Sequence, residues 1–257
     1  MKQPTPEIQF LSPEWPAPSQ IKAMITCREG GFSQDQYHSL NLGDHVGDDP
    51  KCVLANRELL NQQLPNEPLW LTQVHGTKVS TPSFRLNEAD AIVTNQSNEV
   101  LAIMTADCLP ILFANDAGDV IGAAHAGWRG LCNGVIENTI KEMQVLAGTN
   151  SAKDILAWLG PAIGPQAFEV GLDVLDAFRD SGVPFPADSF VEIPNNPGKY
   201  LANLYALARS RLESIGLQRI YGGDYCTVNQ AEKFFSYRRD GVTGRFASLI
   251  WIKSSHQ

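Results

Sequence analysis

Short apolar runs alternate along this chain with breaks rich in glycine, proline and asparagine, and only a few stretches carry helical periodicity. IKAMITC, LWLTQVHG, DAIVTN, LAIMTAD, DILAWLG, RIYGGDY and RFASLIWIK are brief, apolar and rich in β-branched or aromatic residues, so each predicts a strand. Asp48-Asp49-Pro50 ahead of KCVLANRELLNQQL predicts a helix start, with an acidic cap and proline in the first turn. GVIENTIKEMQVLAG and KYLANLYALARSRLESIG predict two further helices, each ending near glycine. REGGF predicts a glycine turn, and the proline-rich segment 1–20 predicts an extended arm. Strands and helices interleave without strict βαβ alternation. The expected fold is therefore α+β, with mixed sheets covered by helices in one layered domain spanning 1–257.

The stretch TADCLPILFANDAGDVIGAAHAGWRG, residues 105–130, carries the most chemistry. ILFA and VIGAA flank the turn-forming cluster Asn115-Asp116-Ala117-Gly118. A two-residue loop at Asp116-Ala117 sets Cys108 directly across from His125, on a shared face. Pro110 cannot donate to the ladder, and a bulge there shifts that register. His75, at the end of LTQVH and just before Gly76, adds a third soft or borderline ligand. One cysteine and two histidines match the three protein ligands of a catalytic zinc site, which keeps its fourth position open. From spacing alone, a metal site and histidines that merely satisfy the structure both remain open.

Composition narrows the partners. With 28 acidic and 20 basic side chains the formal charge is −8, which argues against a nucleic-acid binder. No window approaches 18 uninterrupted apolar residues, and the N-terminus lacks the apolar run of a signal peptide; no membrane role and a cytoplasmic location are expected. The five cysteines (27, 52, 108, 132 and 226) have no C-x-x-C spacing, so no disulfide framework is expected. Five histidines are too few for an oxidase holding several coppers.

TQVHG, TADCLP, AAHAGWRG, LGPAIGP and FFSYRRDGVTGR, together with NLGDHVGDD (which holds Asn41 and His45), closely resemble motifs of the YfiH-like laccase-domain family, from about Ile21 to the last strand. Its members have been named polyphenol oxidoreductases, purine nucleoside phosphorylases and peptidoglycan editing factors. The resemblance implies metal ligands at His75, Cys108 and His125, none of them substituted. It also implies activity on adenosine, inosine and methylthioadenosine, by phosphorolysis and by deamination.

Zinc suits that chemistry, and copper can occupy the same donors. Catalytic roles are expected for Cys108, His125 and Arg129, and substrate binding for His38, Arg129 and Arg238. Arg129 and Arg238 are the candidates for phosphate. Arg238, Arg239 and Arg245 form a local basic cluster, of which adjacent strand residues cannot both face one pocket. Asp107 is expected to support a ligand, and Phe234, Phe235, Tyr237 and Trp128 are each divided between stacking a purine and filling the core. His256, at the tail, is expected to have no role. The expected partners are a purine nucleoside with phosphate, or a cell-wall precursor hydrolysed at an amide with Cys108 as nucleophile and His125 or His75 as base. Copper-dependent phenol oxidation ranks last. A non-catalytic metal-stabilised module requires a fourth ligand that the motifs do not supply.

Overall fold

The computed structural model describes residues 7–254. His256 and the first six residues lie outside them. The amino-terminal half holds strands β1 (Phe10–Leu11) and β2 (Ile21–Thr26), helix α1 (Pro50–Asn61), and strands β3 (Pro68–Leu69), β4 (Val79–Ser80), β5 (Ala91–Thr94) and β6 (Val100–Thr105). Next come β7 (Leu109–Asn115), β8 (Ile121–Ala126), helices α2 (Trp128–Asn133) and α3 (Val135–Ala147), and β9 (Ile155–Leu159). The remainder comprises β10 (Glu169–Gly171), α4 (Leu172–Asp180), β11 (Phe190–Glu192), β12 (Lys199–Ala202), α5 (Leu204–Ser214), β13 (Arg219–Gly222), α6 (Tyr237–Asp240) and β14 (Phe246–Ile252).

These strands form a five-stranded sheet in the order β1-β2-β14-β6-β3 and a six-stranded sheet in the order β13-β9-β7-β8-β5-β4. A small third sheet runs β10-β12-β11. Strand alternation explains how the two large sheets stack. Phe246 and Ile250 of β14 meet Leu112 and Ala114 of β7 between the sheets. The opposite residues of β14, Ala247 and Leu249, pack with Leu59 and Leu60 of α1. On the far side, Ile111 and Phe113 of β7 lie under Ile136, Ile140 and Met143 of α3. The result is four layers, helix–sheet–sheet–helices, in which the central strands are covered on both faces and read as unbroken apolar runs. The expected α+β architecture of mixed sheets under helices holds.

Three local expectations change. Of LWLTQVH only Leu69 lies in a strand, at the end of β3, because the backbone amides of Val74, His75 and Gly76 all turn to the carboxylate of Asp90. KYLA is strand β12 rather than the first turn of a helix; α5 starts after Asn203, whose side chain accepts from the amide of Ala206. The β7–β8 hairpin does not pair Cys108 with His125. Its register sets Pro110 opposite His125 and Ala114 opposite Ile121, leaving Cys108 just ahead of the strand. The amide of Asn115 donates to Val120 O and that of Gly118 to Asn115 O, so the loop is longer than two residues. Pro110 needs no bulge, since its backbone faces β9, where its carbonyl accepts from Gly160.

Candidate metal centre

The register slips by two residues, an even number, and so keeps Cys108 on the face of His125. The chain just before β7, the end of β8 and the loop holding His75 therefore converge at one end of the six-stranded sheet. Cys108 Sγ lies 3.6 Å from His75 Nε2, and the ligand atoms of His75, Cys108 and His125 all lie within 4.8 Å of one another. Among the described residues no other group of three or more His, Cys, Asp or Glu side chains gathers in this way.

Sequence reading missed the residue that organises the cluster. Asp90, fully buried just before β5, accepts from His125 Nδ1 at 2.8 Å and from the amide of His75 at 2.9 Å. Its second oxygen takes the amides of Gly76 and Val74. Burial works against this carboxylate's charge, but the bonds from His125 and the amides outweigh it and hold its pKa below the usual range. A carboxylate on one ring nitrogen fixes the tautomer and leaves the other free for a ligand. An aspartate flanked by alanines carries no motif, so nothing in the sequence marked it.

Two glycines make room. A Cβ at Gly127 would lie 2.8 Å from His75 Cδ2 and 3.0 Å from Cys108 Sγ, and one at Gly130 would lie 2.8 Å from the carbonyl of Gly76. The backbone of the cluster is strained: His75 has φ 60° and Asp107, beside Cys108, φ 90°, both in the region that glycine favours. Asp107 accepts from Thr227 Oγ1 and from the amide of Arg238, both at 2.6 Å, and so ties the start of α6 to the site.

Within the cluster, Cys108 and His125 favour each other's charged forms. Burial disfavours a thiolate, yet the charge and hydrogen bond of His125 outweigh it and bring Cys108 down to about 6. Burial likewise opposes the His125 imidazolium, but Cys108 and Asp90 raise it to about 9.

A cavity of about 330 Å³ opens onto the cluster, walled by His45, Gln73, Met104, Thr105, Ala106, Tyr237 and Arg245 as well as its three members. An adjoining chamber of about 460 Å³ shares His45, Gln73 and Met104 and is lined further by Arg57 and Trp70. A shallower cleft of about 600 Å³ near Gln20 and Lys253 touches none of the cluster.

Several other residues singled out in the sequence fall outside the cavity. Arg129 is exposed, its guanidinium 4.3 Å over the Trp128 ring. Arg238 donates to the carbonyls of Ala167 and Glu169. Arg239 is taken up by Asp240 and by the carbonyls of Thr227 and Phe234. His38 is exposed, 3.8 Å from Glu29. Phe234 and Phe235 are core, while Tyr237 reaches the cavity. Of the basic cluster it is Arg245 that lines the wall; α6 is a helical turn, so strand alternation was the wrong rule for its arginines.

A four-layered α+β domain with a His-Cys-His cluster at the end of a sheet defines a class of protein with the donors to hold a metal ion. Residues 22–253 match the family described as multi-copper polyphenol oxidoreductase laccase, and the chain belongs to that family. It is 49% identical over 254 residues to a purine nucleoside phosphorylase of Haemophilus influenzae, covering 96% of this chain and 100% of that protein. It is 47% identical over 249 residues to the purine nucleoside phosphorylase YfiH of Escherichia coli, covering 95% and 99%. A Neisseria meningitidis crystal structure matches with a TM-score of 0.88 at 50% identity, over 95% of this chain and 99% of that one.

Proposed function

We propose that this chain is a zinc-dependent purine nucleoside phosphorylase acting on adenosine, inosine and methylthioadenosine, with adenosine deamination as a second activity. The observation that carries the reading is a three-donor cluster opening into a cavity of about 330 Å³, the lower end of the range for small-molecule sites. The similarity to relatives named as phosphorylases supports it. Two imidazoles and a thiolate suit zinc, and three donors rather than four leave a position for substrate. The family description speaks of several coppers, but one such cluster among the described residues supports a single ion. The reading treats the whole chain as one catalytic domain with 1–20 as an arm. Five free cysteines favour a cytoplasmic setting, and no helix among the described residues is long and apolar enough to cross a membrane.

His75, Cys108 and His125 would hold the ion, which when bound supplies a Lewis acid for negative charge developing on the substrate and for activating water. The chain's own groups do the rest. Tyr237 and Met104 offer aromatic and polarisable surface to a purine. Gln73 helps fix that wall, donating to the carbonyl of Met104 and accepting from its amide. In phosphorolysis a phosphate oxygen bonds to C1′ of the ribose. The bond from C1′ to the base breaks, and the base leaves with the electron pair and takes up a proton.

The test is zinc-loaded protein incubated with adenosine, with and without phosphate, and products separated by chromatography. Adenine and ribose 1-phosphate are expected only with phosphate, and inosine in both. Neither product, with cleavage of a serine-bearing cell-wall precursor instead, would transfer the site to amide hydrolysis by the Cys108 thiolate.

A further inference from the structure

We propose that Arg245, with Thr105 beside it, is the phosphate seat of this cavity. The inference rests on the phosphorylase reading above and gives it an anion site.

Arg245 immediately precedes β14, and the first residue of that strand, Phe246, pairs with Thr105 at the end of β6. Both residues line the cavity that holds the cluster. The backbone of Arg245 is pinned by Asn41, whose Oδ1 accepts its amide at 2.8 Å. Its stem is confined by Gly43, where a Cβ would come within 2.8 Å of Arg245 Cγ. The guanidinium is thus positioned before anything binds. One of its nitrogens, Nη1, donates to the carbonyls of Thr243 and Gly244. Among the described residues the other two have no partner, and the side chain has no carboxylate to neutralise it. Thr105 is 2% exposed, and its Oγ1 is buried without a hydrogen-bond partner.

The other arginines near the site are committed or turned away. Arg57, in the adjoining chamber, is bound to the carbonyl of Leu42 and to Asp44 and stacks on Trp70. Arg238 and Arg239 are spent on carbonyls and Asp240, and Arg129 lies on the outer surface. Charge points the same way. In a chain of net charge −8, no aspartate or glutamate lines this cavity, and Arg245 is the arginine that does. A wall of that composition favours a small dianion, and a planar guanidinium with two unspent nitrogens suits phosphate oxygens.

Two readouts test this: calorimetric titration of inorganic phosphate into zinc-loaded protein without nucleoside, and KM for phosphate during adenosine phosphorolysis. Arg245→Gln should weaken both by about ten- to a hundredfold, the loss of a charge-assisted contact. Arg245→Lys, which keeps the charge and much of the stem, should fall between wild type and Arg245→Gln, and thermal melts show that each variant is folded. Thr105→Val should weaken binding by a smaller factor. Wild-type phosphate binding in folded Arg245→Gln and Arg245→Lys overturns the assignment. So does a raised phosphate requirement in Arg129→Lys or Arg238→Lys while the Arg245 variants stay normal. If wild type binds phosphate through Arg245 yet leaves adenosine intact, the phosphorylase reading fails and the anion seat stands.

Discussion

A thiol beside a raised imidazole behaves unlike the other cysteines of this chain. With the metal stripped, Cys108 should be a thiolate at neutral pH, because His125 brings it down to about 6 despite burial. Burial instead raises Cys27 and Cys132. Iodoacetamide should therefore modify Cys108 first, with a half-maximal rate near pH 6, and zinc should protect it; peptide mass spectrometry reads each site. A midpoint at the ordinary thiol value of about 8.5 would contradict the charge pair. At this scale the His-Cys-His cluster was legible in the sequence, since three chemically distinctive side chains sit in recognisable motifs. Asp90 was not, because its role is created by where the chain folds: four donors from two segments meet on one carboxylate. Arg245 was seen only as one of three arginines, and choosing among them required knowing that α6 is a helical turn.

Secondary structure was most legible where tertiary burial is most complete. The central strands, covered on both faces, announce themselves as apolar runs. KYLANLYALARS did not, because Tyr, Leu and Ala fit either element and the boundary lies in one side chain. Asn203 Oδ1 caps α5 through the amide of Ala206 at 3.1 Å, while its own amide donates to Ser189. Asn203→Ala should cost about 1 kcal/mol of stability, read as a lower urea midpoint with an unchanged slope. The β7–β8 hairpin shows a different limit. Turn residues located the loop but not its length, and the register was off by two. The face survived because strand period is two, so an odd error would have sent Cys108 to the other side.

Across the whole molecule, the cluster joins the loop after β3, the start of β7 and the end of β8. An ion held there binds the folded chain and not the unfolded one, so it contributes to global stability. At a thousandfold excess over its Kd, zinc adds about 4 kcal/mol. For a chain of this size, chelation should lower Tm by on the order of 10 °C, and Cys108→Ala should abolish most of the difference between loaded and stripped protein. Calorimetry of the two forms checks this; equal melting temperatures would show that no ion sits in the cluster. The layered architecture itself was legible as a class but not in detail, since which sheet lies on which depends on contacts far apart in sequence.

The backbone at His75 and Asp107 carries one more implication. Each holds a side chain where glycine would be at ease, at a cost of about 1–3 kcal/mol apiece. Against a typical margin of about 5–15 kcal/mol for a native protein, that is a large sum to leave uncollected. Glycine would relieve the strain at either position, but would lose a ring nitrogen at 75 and, at 107, the carboxylate that holds Thr227 and the start of α6. Each position thus trades backbone ease for what its side chain reaches: Cys108 Sγ for the imidazole of His75, and Thr227 with the amide of Arg238 for the carboxylate of Asp107.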